Sequence, residues 1–440
     1  MRKISVIIFA FALVCLGACK TEKTDKTVVT AIDVSLTDAE KAGGVLTPEI
    51  LWKYGRIGSV ALSPDGSTVL YTVTNYDLPT EARTTCIFAV PAAGGNAVNL
   101  TPEGGSGPQW IENGAKIAYI SGSKVMVMNA DGTAKKEITG LQDFEILSFS
   151  PAGKMVYFTR RVKLDQTANE KYNLPNAKVR IIDDMMYRHW NTWSDYSYSH
   201  VFVASFDGTA ISNEKDIMEG QRFDAPDGPW FDEADLAWSP DGKYVAYSCK
   251  KLTGKAYTLS TNTDIYLYDV TTGEEKNITE GNMGYDKVPV FSPDGSMIAY
   301  SSMEEDGYES DLERLFVYNI ASGERKWVSE GWDYNVGNMQ WNGTGEIWFT
   351  SAYLGRQPVF KISLADGAVT KVTEGDYDMG PLQLRNDVLV AGIQSMARPI
   401  EVAKVDMAGG QFSMITDVNG HIYESIKMGK SEERYIKTKD

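Results

Sequence analysis

Histidine is scarce in this chain, with three residues among 440, and cysteine is nearly as rare, with four. A Ser-His-Asp triad would have to use His189, His200 or His421, and the Gly-x-Ser-x-Gly motif of hydrolase nucleophiles is absent. His200 directly precedes an apolar strand, so we interpret it as a hydrogen-bonded structural residue. Walker loops, dinucleotide-binding glycine motifs, calcium loops and Cys/His metal spacings are also missing. We therefore expect no catalytic residues, no metal and no cofactor.

Positive charge is also in short supply. Lys and Arg number 43 against 59 Asp and Glu, which gives a formal net charge of −16 at pH 7. Nucleic acids and anionic lipid surfaces bind proteins through clustered Lys and Arg side chains. The charge balance therefore argues against a nucleic-acid partner and against direct binding to a lipid surface.

A clear apolar run occurs near the N-terminus, where residues 4–16 follow Arg2 and Lys3. The run is too short to span a bilayer, and with its positive start it predicts a secretion signal. It ends in Leu-Gly-Ala-Cys at residues 16–19, which resembles the lipobox of bacterial lipoproteins. An ordinary signal peptide cut near Ala18 is the alternative.

The lipobox resemblance implies an address in the bacterial cell envelope, periplasmic or outer-membrane-facing. We expect residues 1–18 to be the signal peptide, Cys19 to carry a lipid that is the only membrane contact, and residues 19–45 to form a flexible tether. Cys86 and Cys249 then remain, and we expect two free thiols rather than a disulfide.

The tetrapeptide Ser-Pro-Asp-Gly occurs at residues 63–66, 239–242 and 292–295, with a degenerate copy at 150–153. Each copy precedes a short apolar strand, and Asp-Gly is typical of a tight turn. Seven such strands can be aligned, each the second of four in a unit of roughly 40–50 residues. They begin at Val69, Ile117, Met155, Val245, Ile298, Ile347 and Val388.

Four strands at this period indicate a β-propeller. We predict an all-β, seven-bladed β-propeller over residues 46–418, with four-stranded antiparallel blades and a long insertion in blade three. Turns between first and second strands, and between third and fourth, share one face of such a disc and are short here; we call this the plain face. The opposite, elaborated face carries the long loops between second and third strands, where binding is expected. These loops are 75–83, 160–199, 250–262 and 303–312.

The insertion in blade three carries the most specific motif. Residues 187–195 read Tyr-Arg-His-Trp-Asn-Thr-Trp-Ser-Asp and residues 200–203 read His-Val-Phe-Val. Together with the propeller repeat, this resembles the acylaminoacyl-peptidase and dipeptidyl-peptidase 5 branch of the prolyl oligopeptidase family of serine peptidases. Asn191 stands where that pattern usually has Asp.

The resemblance implies that an α/β-hydrolase domain with Ser, Asp and His follows the propeller. Residues 419–440 would be a linker and the truncated start of that domain, and we expect residues 420–440 to be poorly ordered without it. The implied function is the substrate-gating propeller of an exported serine exopeptidase that acts on short peptides, inactive alone. The alternative is a stand-alone envelope propeller of Tol type that binds proteins or ligands; a homodimer is left open.

Two groups are candidates for contact with substrate. An acidic loop in blade five could hold a peptide's amino terminus, unless it is only a solvated loop. Residues of the blade-three insertion could line a domain interface, unless they only pack the insertion against its own blade. The first group is Glu304, Glu305, Glu309 and Asp311; the second is Arg188, His189, Trp190 and Trp193.

Overall fold

The computed structural model describes residues 32–439. The predicted signal peptide, Cys19 and the first part of the tether lie outside these residues. Five short helices and thirty strands make up the described part, and the strands dominate. The helices are α1 Asp38–Gly43, α2 Pro48–Trp52, α3 Ala168–Lys171, α4 Gly254–Leu259 and α5 Gly420–Tyr423, with 3-10 turns at Glu112–Gly114 and Glu233–Asp235.

The strands form seven four-stranded antiparallel sheets, which confirms the seven-bladed propeller. The strands are β1 Arg56–Leu62, β2 Thr68–Asp77, β3 Ala82–Pro91, β4 Val98–Asn99, β5 Ser106–Ile111, β6 Lys116–Ser121, β7 Lys124–Asn129, β8 Lys136–Ile138, β9 Leu147–Phe149, β10 Met155–Lys163, β11 Arg188–His189, β12 Thr192–Trp193, β13 Ser197–Phe206, β14 Ile211–Asp216, β15 Leu236–Trp238, β16 Tyr244–Cys249, β17 Asp264–Asp269, β18 Glu275–Asn277, β19 Asp286–Phe291, β20 Met297–Ser302, β21 Arg314–Asn319, β22 Arg325–Trp327, β23 Gly337–Asn342, β24 Glu346–Thr350, β25 Val359–Ser363, β26 Val369–Lys371, β27 Asp378–Arg385, β28 Val388–Ser395, β29 Arg398–Val405 and β30 Phe412–Met414.

Each blade except the third uses four consecutive strands, from β1–β4 in blade one to β27–β30 in blade seven. Blade three is built from β9, β10, β13 and β14, and its insertion contains α3 and the small hairpin β11–β12. First strands of neighbouring blades lie against each other, as β1 does with β5 and β27, so the first strands form the inner ring.

The aromatic residue in the second strand has a direct structural partner. In five blades it stacks on an aromatic side chain that stands opposite on the third strand. Cross-strand aromatic pairs of this kind stabilise a sheet by about 0.5–1.5 kcal/mol beyond the area they bury. The pairs are Tyr71–Phe88, Phe158–Phe202, Tyr247–Tyr266, Tyr300–Phe316 and Phe349–Phe360.

The Ser-Pro-Asp-Gly turn is held by its own side chains. In blade five the Ser292 hydroxyl accepts a hydrogen bond from the Met297 backbone N–H at 3.0 Å and donates to Asp294 Oδ1 at 2.6 Å. Blades one and four repeat this pattern. In blade one, Gly66 has φ +75°, and a Cβ there would lie 3.0 Å from the Arg385 carbonyl oxygen of blade seven. The glycine thus permits both the turn and the close approach of neighbouring blades.

The ring closes between blades one and seven without an exchanged strand among the described residues. Ile57 and Val60 of β1 pack with Val390 and Val402 of blade seven in one buried cluster. Asn419, fully buried just after blade seven, accepts from the Gly55 N–H and donates to the Gly55 carbonyl, both at 2.9 Å. Apolar packing and this side chain therefore join the two ends of the propeller.

The chain ends differ from the expected tether and from the expected disorder after residue 419. Leu36, Ile50 and Tyr54 share a buried cluster with Ile422 and Ile426, and the Lys427 N–H donates to the Gly44 carbonyl at 3.0 Å. We call this contact between residues 33–54 and 420–428 the clasp. It forms because neither apolar segment can bury its side chains alone. Residues 429–439 contain no helix or strand.

Replacing Asn419 with Ala should destabilise the protein by about 2–3 kcal/mol, because the N–H and C=O of buried Gly55 both lose their partner. Urea denaturation of the whole chain measures this. The matched control is Asn386→Gly, which removes one hydrogen bond to the Pro64 carbonyl at the exposed rim of the same blade junction. Glycine tolerates the positive φ of 48° at this position, so the change should cost less than about 1 kcal/mol. Equal losses in the two variants would contradict the role assigned to Asn419.

Candidate functional site

The long loops of blades three, four and five meet on the elaborated face. The blade-four loop, which contains α4, is joined to the blade-five loop because Asp306 accepts hydrogen bonds from the Ser260 hydroxyl and the Thr261 N–H. The blade-three insertion reaches the same area, where Trp190 packs edge-on against Trp230 with ring centroids 5.4 Å apart. Three separate parts of the sequence therefore build one surface.

Two of the four acidic candidates in blade five serve the loop itself. Asp311 Oδ2 accepts from the backbone N–H groups of Glu304 and Glu305 at 2.6 and 2.8 Å. Burial alone would raise the pKa of Asp311, but these backbone hydrogen bonds hold it below its usual range. Glu304 forms a salt bridge of 2.7 Å with Arg314, a buried residue. Both carboxylates are thus already used as structural partners.

The other two acidic candidates point to solvent at the rim. Glu305 and Glu309 are exposed. Glu309 Oε1 accepts from the Tyr285 hydroxyl at 3.4 Å, which ties the rim to the start of blade five. The acidic loop therefore has two exposed carboxylates outside any salt bridge, whereas Glu304, although its side chain is 73% exposed, is already paired with Arg314.

The blade-three candidates pack mainly with one another. Arg188 Nε donates to the Trp190 carbonyl at 2.8 Å, and its guanidinium lies 5.3 Å from the Trp193 ring. His189 meets Trp190 edge-on at 5.0 Å. Trp190 is 66% exposed despite its contact with Trp230. The packing alternative thus describes Arg188 and Trp193, whereas Trp190 remains open to a partner.

The insertion also contains a cleft of about 480 Å³, which is lined by residues between 167 and 196. Aromatic and aliphatic side chains line most of it, and several of them are exposed. The cleft lies within the insertion rather than at the junction with blade five. Its walls include Val179, Ile181, Tyr187, Trp193 and Tyr196.

Beneath the loops lies a group of buried charges that the sequence analysis missed. Asp227 is 1% exposed, and neither of its carboxylate oxygens has a hydrogen-bond partner. Its nearest cation is Lys250 Nζ, 3.9 Å away, at the end of the second strand of blade four. Burial raises the pKa of Asp227 to about 6, although Lys250 and Lys287 oppose this shift.

Two tyrosine rings surround these charges. Lys250 Nζ lies 4.7 Å from the centre of the Tyr257 ring and 5.7 Å from that of Tyr285. Lys287 Nζ also lies against the Tyr285 ring, 4.2 Å from its centre. We call Asp227, Lys250, Tyr257, Tyr285 and Lys287 the Tyr285 cluster. No local motif marks it, because its members come from three chain segments that meet only in the folded propeller.

The remaining histidine and cysteine expectations can be checked directly. His200 is fully buried, with Nδ1 2.8 Å from Asp216 Oδ2 and Nε2 2.8 Å from the Gln221 carbonyl, so its structural role is confirmed. Cys86 and Cys249 are free thiols, as expected.

Between residues 32 and 439 there is no cluster of His, Cys, Asp and Glu suited to a metal ion. Within the same residues, no helix is long and apolar enough to cross a membrane.

Comparison with known proteins agrees with the resemblance carried by the blade-three motif. The chain is 39% identical over 407 residues to dipeptidyl-peptidase 5 of Porphyromonas gingivalis, covering 90% of this chain and 59% of that protein. It is 36% identical to dipeptidyl-peptidase 5 of Porphyromonas endodontalis, covering 92% and 60%. This chain is a relative of dipeptidyl-peptidase 5. It spans about three fifths of the length of these two relatives.

The family model described as TolB beta propeller domain matches residues 235–426. Among solved structures, acylaminoacyl peptidase of Pyrococcus horikoshii superposes with a TM-score of 0.66 at 18% identity, covering 86% of this chain and 55% of that one. The β-propeller domain of the trilobed protease from Pyrococcus furiosus, described as having an open velcro topology, gives 0.55 at 14% identity, covering 83% and 99%. At these identities the two structures support the propeller fold alone.

Stability should depend on pH through Asp286, a fully buried residue at the start of β19 beside the Tyr285 cluster. Burial raises its pKa to about 7, whereas an unfolded aspartate titrates near pH ~4. The folded state therefore holds an extra proton between these values, and stability falls as pH rises through this range. We compare the free energy of unfolding of Asp286→Asn with that of the unmodified protein at each pH. This difference should favour the variant by about 2 kcal/mol more at pH 8 than at pH 5.

The control for this measurement is Asp294→Asn in a surface turn. The Ser292 hydroxyl lowers the pKa of Asp294, so its contribution is present above the unfolded pKa and is lost only as pH falls further. Its effect should be the same at pH 5 and pH 8 in thermal or urea denaturation. A pH-independent effect of Asp286→Asn over this range would refute the raised pKa.

Proposed function

We propose that this chain is the substrate-gating propeller of an exported serine exopeptidase that acts on short peptides. The observation that carries the proposal is the 39% identity to a dipeptidyl-peptidase 5 over 90% of the chain. The sequence offers no nucleophile motif and three histidines, one of which, His200, is held by two hydrogen bonds in the interior. We therefore assign the hydrolytic step to an α/β-hydrolase domain that these 440 residues do not supply.

In this proposal the propeller selects which peptides reach the catalytic site of the hydrolase domain. A closed ring of seven blades is a rigid support, and the loops of blades three to five project from one face of it. Glu305 and Glu309 would accept charge-assisted hydrogen bonds from the amino terminus of a short peptide. The exposed rings of Trp190 and Trp230 would pack against its side chains. A narrow, loop-lined entry also keeps folded proteins and excess water from the reaction.

Export and location complete the proposal. The apolar run at residues 4–16 and the Leu-Gly-Ala-Cys sequence at residues 16–19 support a lipoprotein signal, with Cys19 as the lipid acceptor. The chain would then stand on the bacterial envelope, where the peptidase of which it forms the propeller would degrade peptides outside the cytoplasm. A Cys19→Ser variant cannot accept the lipid. We expect it to be exported but no longer attached to the membrane, which distinguishes the secretion signal from the anchor.

A second candidate is an envelope scaffold that binds proteins or ligands and takes no part in hydrolysis. The match of residues 235–426 to the TolB beta propeller model favours it. The blade-three insertion, which carries the motif shared with the peptidase branch, favours the peptidase proposal instead.

Peptide turnover and peptide binding by the purified 440-residue chain test the proposal. We expect no release of a fluorogenic leaving group from dipeptidyl or acyl-amino-acid substrates, and we expect binding of unblocked short peptides by calorimetry. Because the rim carboxylates would bind a protonated amine, Glu305→Gln combined with Glu309→Gln should weaken binding about tenfold or more.

The control is Glu324→Gln, which changes an exposed carboxylate on the plain face and should leave binding unchanged. Turnover by the chain alone would contradict the assignment of the chemistry elsewhere. Equal binding of an N-acetylated peptide would contradict amine recognition by the rim, and binding of folded envelope proteins without peptide binding would favour the scaffold.

A further inference from the structure

Asp227 is a buried carboxylate that forms only a loose ion pair. Both oxygens lack a hydrogen-bond partner although the residue is 1% exposed. Leaving a buried charged acceptor unpaired is costly, so such groups normally bind a donor or a ligand. The ammonium of Lys250 is the nearest positive group, but at 3.9 Å it stays beyond hydrogen-bonding distance.

The surroundings of Asp227 suit an ammonium group. Lys250 Nζ lies against the faces of Tyr257 and Tyr285, and aromatic faces attract cations. Both tyrosines are half-buried, so each ring lies partly at the surface while it contacts the Lys250 ammonium. The Tyr257 hydroxyl lies 3.5 Å from the Gly228 carbonyl, which adds an acceptor next to Asp227.

We propose that Asp227, Tyr257 and Tyr285 form a binding site for a protonated primary amine, with the side chain of Lys250 as its resting occupant. In the structure the Lys250 ammonium stops 3.9 Å from the carboxylate. A free amine can approach to the distance of a charge-assisted hydrogen bond, about 2.8 Å. A ligand amine can therefore bind Asp227 better than Lys250 does, and it would displace that side chain. The inference does not depend on the proposed peptidase function.

Chemical rescue of Lys250→Ala tests the site. This substitution empties the space between Asp227, Tyr257 and Tyr285, which we call the cage. It also leaves Asp227 without a nearby cation, which should lower the melting temperature by about 5 °C. Methylammonium chloride should restore most of the loss in a saturable manner, whereas sodium chloride at the same ionic strength should not. Equal responses to the two salts would overturn the proposal.

Three variants show whether the rescue occurs at this site. Lys250→Met keeps the side-chain volume and should not respond to methylammonium, because the cage remains filled. Asp227→Asn combined with Lys250→Ala should also not respond, because the carboxylate is gone. Lys251→Ala, which removes the neighbouring lysine paired with Glu275 at 2.7 Å, should show no rescue. Rescue in any of these three variants would place the amine effect elsewhere and overturn the assignment.

The unmodified protein provides a measurement that does not depend on the stability of a variant. In protein labelled with ¹³C at lysine Cε, the Lys250 signal should be shifted by the two tyrosine rings, and Lys250→Met identifies it. Ala-Ala-amide, with a free amino terminus, should move this signal toward the position of exposed lysines, and N-acetyl-Ala-Ala-amide should not. Nα-acetyl-lysine methylamide reports whether a lysine side chain also enters. If none of the amines moves the signal, the proposal fails.

Discussion

Apolar packing between the first and last blades is the interaction on which the rest of this structure depends. No strand of blade seven pairs with a strand of blade one, so no backbone ladder joins these two blades. The buried cluster around Ile57 and Val402, together with the paired hydrogen bonds of Asn419 to Gly55, makes that junction. Closure makes the ring a single support for the loops of blades three, four and five.

The clasp extends this junction to both ends of the propeller. Ile50 and Ile422 are fully buried in the same apolar cluster, although more than three hundred residues separate them in sequence. The clasp sits where the chain enters and leaves the propeller. The route of the chain after blade seven is therefore set by packing against the N-terminal segment. Residues 429–439 have no helix or strand, although Glu433 forms a salt bridge of 3.0 Å with Arg356 of blade six.

The elaborated face combines two kinds of electrostatic environment. At the rim, Glu305 and Glu309 are solvated and can meet a ligand at little cost. Beneath the rim, Asp227 and Asp286 are buried, which raises the pKa of each carboxyl. Tyr285 connects the two levels, because its hydroxyl donates to Glu309 while its ring faces Lys250 and Lys287. A ligand with a positive end would encounter both levels in turn.

The sequence by itself determined the propeller, because its signals are local. The Ser-Pro-Asp-Gly turn and the aromatic of the second strand act within a few residues or across one hairpin, and they recur in several of the seven blades. The blade-three motif likewise pointed to the peptidase branch from contiguous residues. The tertiary structure decided the rest, since burial and pairing depend on segments that are distant in sequence. It showed that Glu304 and Asp311 are used by Arg314 and by the loop backbone, that residues 36–45 and 420–428 are ordered, and that Asp227 and Lys250 face each other between two tyrosines.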